Sequence, residues 1–397
     1  MNYVSSAIYI TFLNNYFYDV MMKSKLNNLS EEEAREIIRK IDVSKTEPQL
    51  LVTLIERAIS IGEEVVSDEE TLVSCVDELA SSLRASDIIE VATDVALKKA
   101  RDMLEMPFAS VDGSYFLGGY LHGMYFFPIS AVCVQFKNFN DTNPVVMYSD
   151  ETGIYTFDDV DSRSASFKAS LRMLQLETEM IGKALNNDVR FIMVDGPLVD
   201  PPKKYAISEY RDLINLRTEM LLKALDNHIK VIGIVKRVTG NLLLKSLLTK
   251  SELRNFYPLF RRYTDRGFLD AIFTYLLLNE SKVFYTKPMF PRSIPAYEDY
   301  KSKGLEVLTS FTQVSITTPP IRFEVIPPDE NLVETVAALV SLTTLPSQYY
   351  AMPVMIAHEK CLIREGLAKT LFQEIISHFP NNISKLSKLL RFKYEIT

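Results

Sequence analysis

Two strings, Phe108-Ala109-Ser110-Val111-Asp112-Gly113-Ser114 and Phe191-Ile192-Met193-Val194-Asp195-Gly196-Pro197, each lead an apolar run into Asp-Gly. A carboxylate at the C-terminal end of a buried strand is held rigidly, and the glycine after it lets the backbone turn or a ligand come close. Two acids fixed side by side in this way offer a site for a divalent cation. The same pairs are also common turn residues, which would carry no chemistry, so the choice depends on further ligands.

Between the strings, Ser166 to Asn186 reads as a helix, with Phe167, Leu171, Leu174, Ile181 and Leu185 at three- and four-residue spacing. Wound at about 100° per residue, it places Glu177 at the edge of the apolar stripe, near Ser170, Met173, Met180 and Ala184, with Glu179 on the far side. A core-facing carboxylate needs a partner or a cation. A metal would provide one; with the helix in another phase, Arg172 or Lys183 would, and Glu179 competes on spacing alone.

His358 lies in an apolar helical run with Met355, Ile356 and Leu362, where a lone histidine is often structural; beside three acids it reads as a ligand. His122, His228 and His378 have no partner pattern. Oxygen ligands suit magnesium or manganese, and one imidazole tips the balance toward manganese. Two such cations about 4 Å apart would align a water and stabilise charge on a phosphodiester under attack, with Asp112, on the first strand, as the bridging ligand. The chemistry these residues suit is two-metal phosphodiester hydrolysis.

Other chemistries lack their residues. There is no Gly-x-x-x-x-Gly-Lys-Ser/Thr loop for ATP, no Gly-x-Ser-x-Gly elbow and no His-Glu-x-x-His helix. Ser114 follows Asp112 too closely for a triad nucleophile and reads as a cap or a phosphate contact. Cys75, Cys133 and Cys361 have no close spacing, which suggests neither a disulfide framework nor a zinc ribbon and fits a reducing, cytoplasmic setting.

With 397 residues, 47% hydrophobic and 24% charged, the chain can form one large domain or two ordinary ones. Charge is uneven: Asn28 to Glu105 holds 19 acids against 9 Lys and Arg, while Lys203 to Arg266 holds 14 Lys and Arg against 6 acids. Within the basic stretch Lys203-Lys204, Lys236-Arg237 and Arg261-Arg262 form doublets that could contact phosphate. Met1 to Val20 lacks signal-peptide flanks and is too interrupted by Asn14, Asn15 and Asp19 to span a membrane; it reads as a docked core element, or as a tail before a start at Met21 or Met22.

The elements that must position the acids follow from the patterning. Residues 1–105 read as an N-terminal segment and an acidic helical arm, with a capping box at Ser30 and Glu33 and helices over Leu50–Ile61, Glu69–Leu83 and Asp87–Leu104. Residues 106–397 read as one domain: strands Phe108–Asp112, Phe126–Lys137 and Pro144–Tyr148, the Glu177 helix, a fourth strand Val189–Asp195, and an all-helical insertion at about 241–280. Thr178-Glu179-Met180 with Lys183-Ala184-Leu185-Asn186 recurs as Thr218-Glu219-Met220 with Lys223-Ala224-Leu225-Asp226, giving two helix-then-strand units of one sheet. Acids at the end of the first strand, on the helix and at the end of the fourth strand of a βββαβ order resemble the ribonuclease-H-like fold: an α/β mixed sheet flanked by helices.

More narrowly, the chain resembles the NurA family of archaeal nucleases. The likeness rests on Asp112-Gly113-Ser114, Glu177, Asp195-Gly196-Pro197-Leu198, Val231–Val235 ending in Lys236-Arg237, Ile321-Arg322-Phe323-Glu324-Val325 before Pro327, and Tyr350-Ala351-Met352-Pro353-Val354-Met355-Ile356-Ala357-His358-Glu359. It covers roughly Phe108 to Gly366. The resemblance implies that Asp112, Glu177, Asp195 and His358 hold catalytic manganese and that Tyr350, or its neighbour Tyr349, stands in the same pocket. It implies a 5′ to 3′ exonuclease and single-strand endonuclease that forms a homodimer around a shared channel and processes the ends of single- and double-stranded DNA with a HerA-type hexameric ATPase. The apolar N-terminal segment or the basic segment Ile383–Phe392 would dock that motor. Two other classes fit the bare residues less fully: a nucleic-acid-binding adaptor without catalysis, and a metal-dependent phosphatase for small substrates.

Overall fold

The computed structural model describes residues 48–121, 123–159, 161–199, 208–345 and 350–378. Met1–Val20, the capping box at Ser30, His122, Lys203, Lys204, Tyr349 and Ile383–Phe392 lie outside these residues. The chain divides into two compact units, Met1–Cys75 and Val76–Thr397. No helix among the described residues is long and apolar enough to cross a membrane.

Of the first unit, the described part is helical. Residues 48–75 belong to α1 (Pro48–Ala85), a single helix where two were expected, because Gly62 alone does not break the run.

Among the described residues the second unit is built on an 11-stranded mixed sheet. Asp87, with φ at 53°, turns the chain out of α1 into a short strand, β1 (Ile89–Val91), where the sequence suggested the start of a helix. Helix α2 (Asp94–Leu104) then begins at Thr93, whose side chain accepts from the Ala96 amide. Strands β2 (Phe108–Tyr115), β3 (Gly119–Leu121), β4 (Met124–Phe136), β5 (Val145–Tyr148) and β6 (Gly153–Asp158) precede the long helix α3 (Ser162–Leu185), which Asp161 caps. After it come β7 (Phe191–Asp195), α4 (Ser208–Asp226) and β8 (Lys230–Val235). Between β8 and the next strand lie α5 (Leu242–Leu247), a 3₁₀ turn (Ser251–Phe256), α6 (Tyr257–Phe260) and α7 (Asp265–Asn279). The chain closes with β9 (Phe284–Thr286), α8 (Tyr297–Lys301), β10 (Leu308–Thr312), β11 (Ile321–Ile326), α9 (Glu330–Thr343), α10 (Met352–Cys361) and α11 (Glu365–Ser377).

The strand order is β1-β9-β10-β11-β8-β7-β2-β4-β3, with β5 and β6 also on β4. Among the described residues the parallel pairings are β2 with β7 and β7 with β8, each reached through a helix crossover. This is the expected ribonuclease-H-like mixed sheet.

Both faces of the central strands are buried, and alternation assigns each residue a side. Ala109 and Val111 of β2, with Ile192 and Val194 of β7, join the core formed with α3 and α4. Phe108, Phe191 and Met193 join the opposite core, formed with α9 and α10. Asp112 and Asp195 continue this second set, so both acids face α10.

Candidate metal centre

The Val111–Val194 pairing of parallel β2 and β7 puts Asp112 and Asp195 one step further along adjacent strands. Their ends are treated differently. Asp195 closes β7, and Gly196 turns the chain with φ at 128°, as the sequence suggested. Asp112 sits inside β2, which runs on to Tyr115, so Gly113 makes no turn. Its lack of a side chain serves close packing instead: a Cβ there would lie 2.8 Å from Met173 Cγ on α3. Ser114 is also corrected, since its buried hydroxyl accepts from the Ile363 amide at 3.0 Å and ties down the chain after α10.

Helix α10 brings the imidazole. His358 Nδ1 lies 2.8 Å from Asp112 Oδ2 and 3.5 Å from Asp195 Oδ2. Ligand atoms of Asp112, Asp195 and His358 all fall within 4.8 Å of one another. Cys361, one turn further along α10, sets Sγ 3.4 Å from Asp112 Oδ2, a contact that the scattered cysteine spacing did not suggest.

Glu177 lines the same cavity but reaches it from α3, on the other face of the sheet, and it is not one of the three groups within 4.8 Å. It is buried, whereas Glu179 pairs with Arg172 near the surface. Its partner is neither Arg172 nor Lys183, which bind Glu151 and Asp150 respectively. It is Arg217 of α4, whose Nη2 lies 3.1 Å from Glu177 Oε1. The signal was present: aligning the two similar strings sets Leu216-Arg217-Thr218 against Leu176-Glu177-Thr178, with opposite charges at equivalent positions.

Lys236, at the end of β8, hydrogen-bonds Asp195 Oδ2, and its Nζ stands 4.0 Å over the Tyr350 ring. Tyr350 crosses His358 edge-on at 6.4 Å. These groups line a cavity of about 1020 Å³, together with the cations Arg237, Lys245, Arg266 and Arg322. Arg261 and Arg262 are exposed and do not line it. A second missed residue is Glu324 on β11, fully buried, which accepts from the Leu198 amide at 2.7 Å and so anchors the turn after Asp195.

Burial governs the acid–base state. It raises the Asp195 carboxyl to about 7, with the Asp112 charge adding to the rise and Lys236 and His358 opposing it. It raises Glu177 to about 8, with Arg217 opposing and the Asp112 and Asp195 charges adding. The hydrogen bond to Asp112 raises His358 against the desolvation of its ring. Crowded carboxyls that burial pushes up are stabilised as anions by a divalent cation. Two carboxylates and an imidazole within one ion's reach match the donor set of manganese or magnesium with oxygen and nitrogen ligands. The residues therefore fit a hard divalent cation.

The fold is shared with solved structures. The crystal structure of the NurA nuclease from Sulfolobus solfataricus matches with a TM-score of 0.54 at 15% identity, covering 86% of this chain and 98% of that one. A structure of NurA bound to dAMP and manganese matches with a TM-score of 0.50 at 12% identity, covering 83% and 99%. No curated protein matches the sequence. The sequence pattern of the NurA domain matches residues 106–385, a span that contains every residue of the centre, and the chain belongs to the NurA family.

Proposed function

We propose that this NurA-family chain is a metal-dependent DNA nuclease with manganese at the centre formed by Asp112, Asp195 and His358 and extended by Glu177. The observation that carries the reading is that ligand atoms of those three side chains meet within 4.8 Å, in a cavity that Lys236, Arg237, Lys245, Arg266 and Arg322 also line. A family relative solved with dAMP and manganese supports both the substrate class and the ion. Bound there, the cation would supply Lewis acidity toward a phosphate oxygen and lower the pKa of a water.

The chain's own groups do the rest. Asp112 and Asp195 would supply anionic oxygens from rigid strands, and His358 an unprotonated ring nitrogen, with Nδ1 against Asp112. Lys236, steadied by the Tyr350 face, places an ammonium beside the position of the scissile phosphate. Burial raises the Tyr350 hydroxyl, which keeps it a donor for a phosphate or leaving oxygen. Lys236 and Arg237 extend the contact along the strand. As with its relatives by resemblance, we assign it 5′ to 3′ exonuclease and single-strand endonuclease activity as a homodimer, working on DNA ends with a HerA-type hexameric ATPase.

The test is cleavage of end-labelled single-stranded DNA with manganese, with magnesium and with chelator. Manganese-dependent products are expected, and Asp112→Ala should cut the rate on the order of 1,000-fold while leaving the circular dichroism spectrum unchanged. Undiminished cleavage by that variant would remove the site assignment. DNA binding that does not respond to manganese would favour an adaptor, and hydrolysis confined to small phosphate esters a phosphatase.

A further inference from the structure

We propose that Arg217 is a positioning residue for the centre, holding Glu177 at the cavity and fastening the turn that follows Asp195. The inference deepens the nuclease reading and rests on it. One nitrogen makes both contacts: Nη2 donates to Glu177 Oε1 at 3.1 Å and to the Pro197 carbonyl at 2.9 Å. Arg217 thereby joins α3, which carries one acid, to the end of β7, which carries another.

Arg217 is fully buried and, among the described residues, is the one hydrogen-bonding partner of the Glu177 carboxylate. Its Nε and Nη1 are buried without a partner. A buried pair that leaves guanidinium donors unused is a poor means of stabilising a fold, because apolar residues of similar volume do as well or better. The pair gives orientation instead. With Oε1 held by Arg217 while Glu177 lines the cavity, the carboxylate has its other oxygen to offer a cation.

The helices are fitted to make this pair meet. Thr178 and Thr218 follow Glu177 and Arg217, and each donates its hydroxyl back to a carbonyl four residues earlier, at 2.7 and 2.6 Å, so neither consumes the neighbouring charge. Gly182 admits Met220 so closely that a Cβ would stand 2.9 Å from its sulfur. A fixed α3–α4 crossing sets the reach of both charged side chains.

The experiment compares wild type, Arg217→Lys, Arg217→Met and the double variant Glu177→Met/Arg217→Met. It measures thermal midpoint, manganese binding by electron paramagnetic resonance, kcat and KM on single-stranded DNA, and amide exchange at Leu198. The double variant should melt no lower than wild type. In Arg217→Met, manganese affinity and kcat should each fall about 10- to 100-fold with KM within about threefold, and Arg217→Lys should recover part of the loss. Leu198 exchange should quicken in Arg217→Met. Unchanged manganese affinity and kcat in Arg217→Met would overturn the inference, as would a double variant that melts far below wild type, since the pair would then be structural. Should the wild type cleave no DNA, the nuclease reading fails alone, and Leu198 exchange still decides the tether: unchanged exchange overturns it.

Discussion

At the scale of single residues, the centre is a set of proton traps that a cation must empty. Burial pushes the Asp195 and Glu177 carboxyls up to about 7 and about 8, far above the ordinary carboxyl range, and the hydrogen bond to Asp112 raises His358 as well. In the unfolded chain the two acids are ionised above about pH 4 to 5. Between there and their folded values the native state holds protons that the unfolded state lacks, so each contribution to stability is full at low pH and lost as pH rises through about 7 and about 8. His358, raised toward its protonated form, has the same sign. A divalent cation held by these groups would bind their deprotonated set and only in the folded chain, so its stabilising effect should grow over the same interval. Thermal midpoints taken from about pH 5 to about pH 9 should fall without metal, while the increment from added manganese rises and levels off above the Glu177 value. An increment that is flat across this range would mean that these side chains are not what the ion displaces protons from.

At the scale of elements, the site depends on glycines that let backbones close around it, and these differ in what a side chain would meet. A Cβ on Gly233 of β8 would lie 2.7 Å from the Gly196 carbonyl and 2.9 Å from Leu198 Cγ, against the turn that sets Asp195. Backbone cannot swing aside, so Gly233→Ala should cost about 1–3 kcal/mol in urea denaturation and weaken manganese binding through the displaced turn. Gly113→Ala would crowd the Met173 side chain at 2.8 Å while the Met173 carbonyl stands at an ordinary 3.5 Å, and a second change, Met173→Ala, should restore part of its stability. A Gly233→Ala chain with wild-type stability and metal affinity would show that the turn has slack. The same physics explains what was legible from residues alone. Asp112, Asp195 and the inward phase of Glu177 could be read because apolar periodicity fixes which face is buried. β10 could not be read, because its buried hydroxyls satisfy one another and the backbone: Ser310 donates to the Thr286 carbonyl at 2.6 Å and Thr312 to that of Phe284 at 2.8 Å, so a core strand has a loop's composition. β1, β3 and β9 span only three residues each, too few for an alternation to register. The Glu177–Arg217 pairing was written in the similarity of two helices, but only their packing makes equivalent positions partners.

At the scale of the molecule, an acidic protein has to hold a polyanion. Formal charge is -7, so the exterior as a whole repels DNA, yet Lys236, Arg237, Lys245, Arg266 and Arg322 share one cavity with the candidate metal centre. Asp265 sustains that arrangement from inside: buried, it accepts from the Leu243 and Leu244 amides at 3.0 Å each, pinning the start of α5, which carries Lys245. Affinity should therefore be local, modest and steeply dependent on salt. In an Asp112→Ala background that removes cleavage, anisotropy of a labelled single strand can be followed as salt is raised. Each cavity cation that neutralises a phosphate contributes about 0.7 to the logarithmic salt slope, so Lys245→Ala/Arg266→Ala should reduce its magnitude by roughly 1.4. Arg261→Ala/Arg262→Ala, outside the cavity lining, should change it far less. The reverse pattern would place the strand along the exposed end of α6, and the cavity would then admit only the nucleotide being cut.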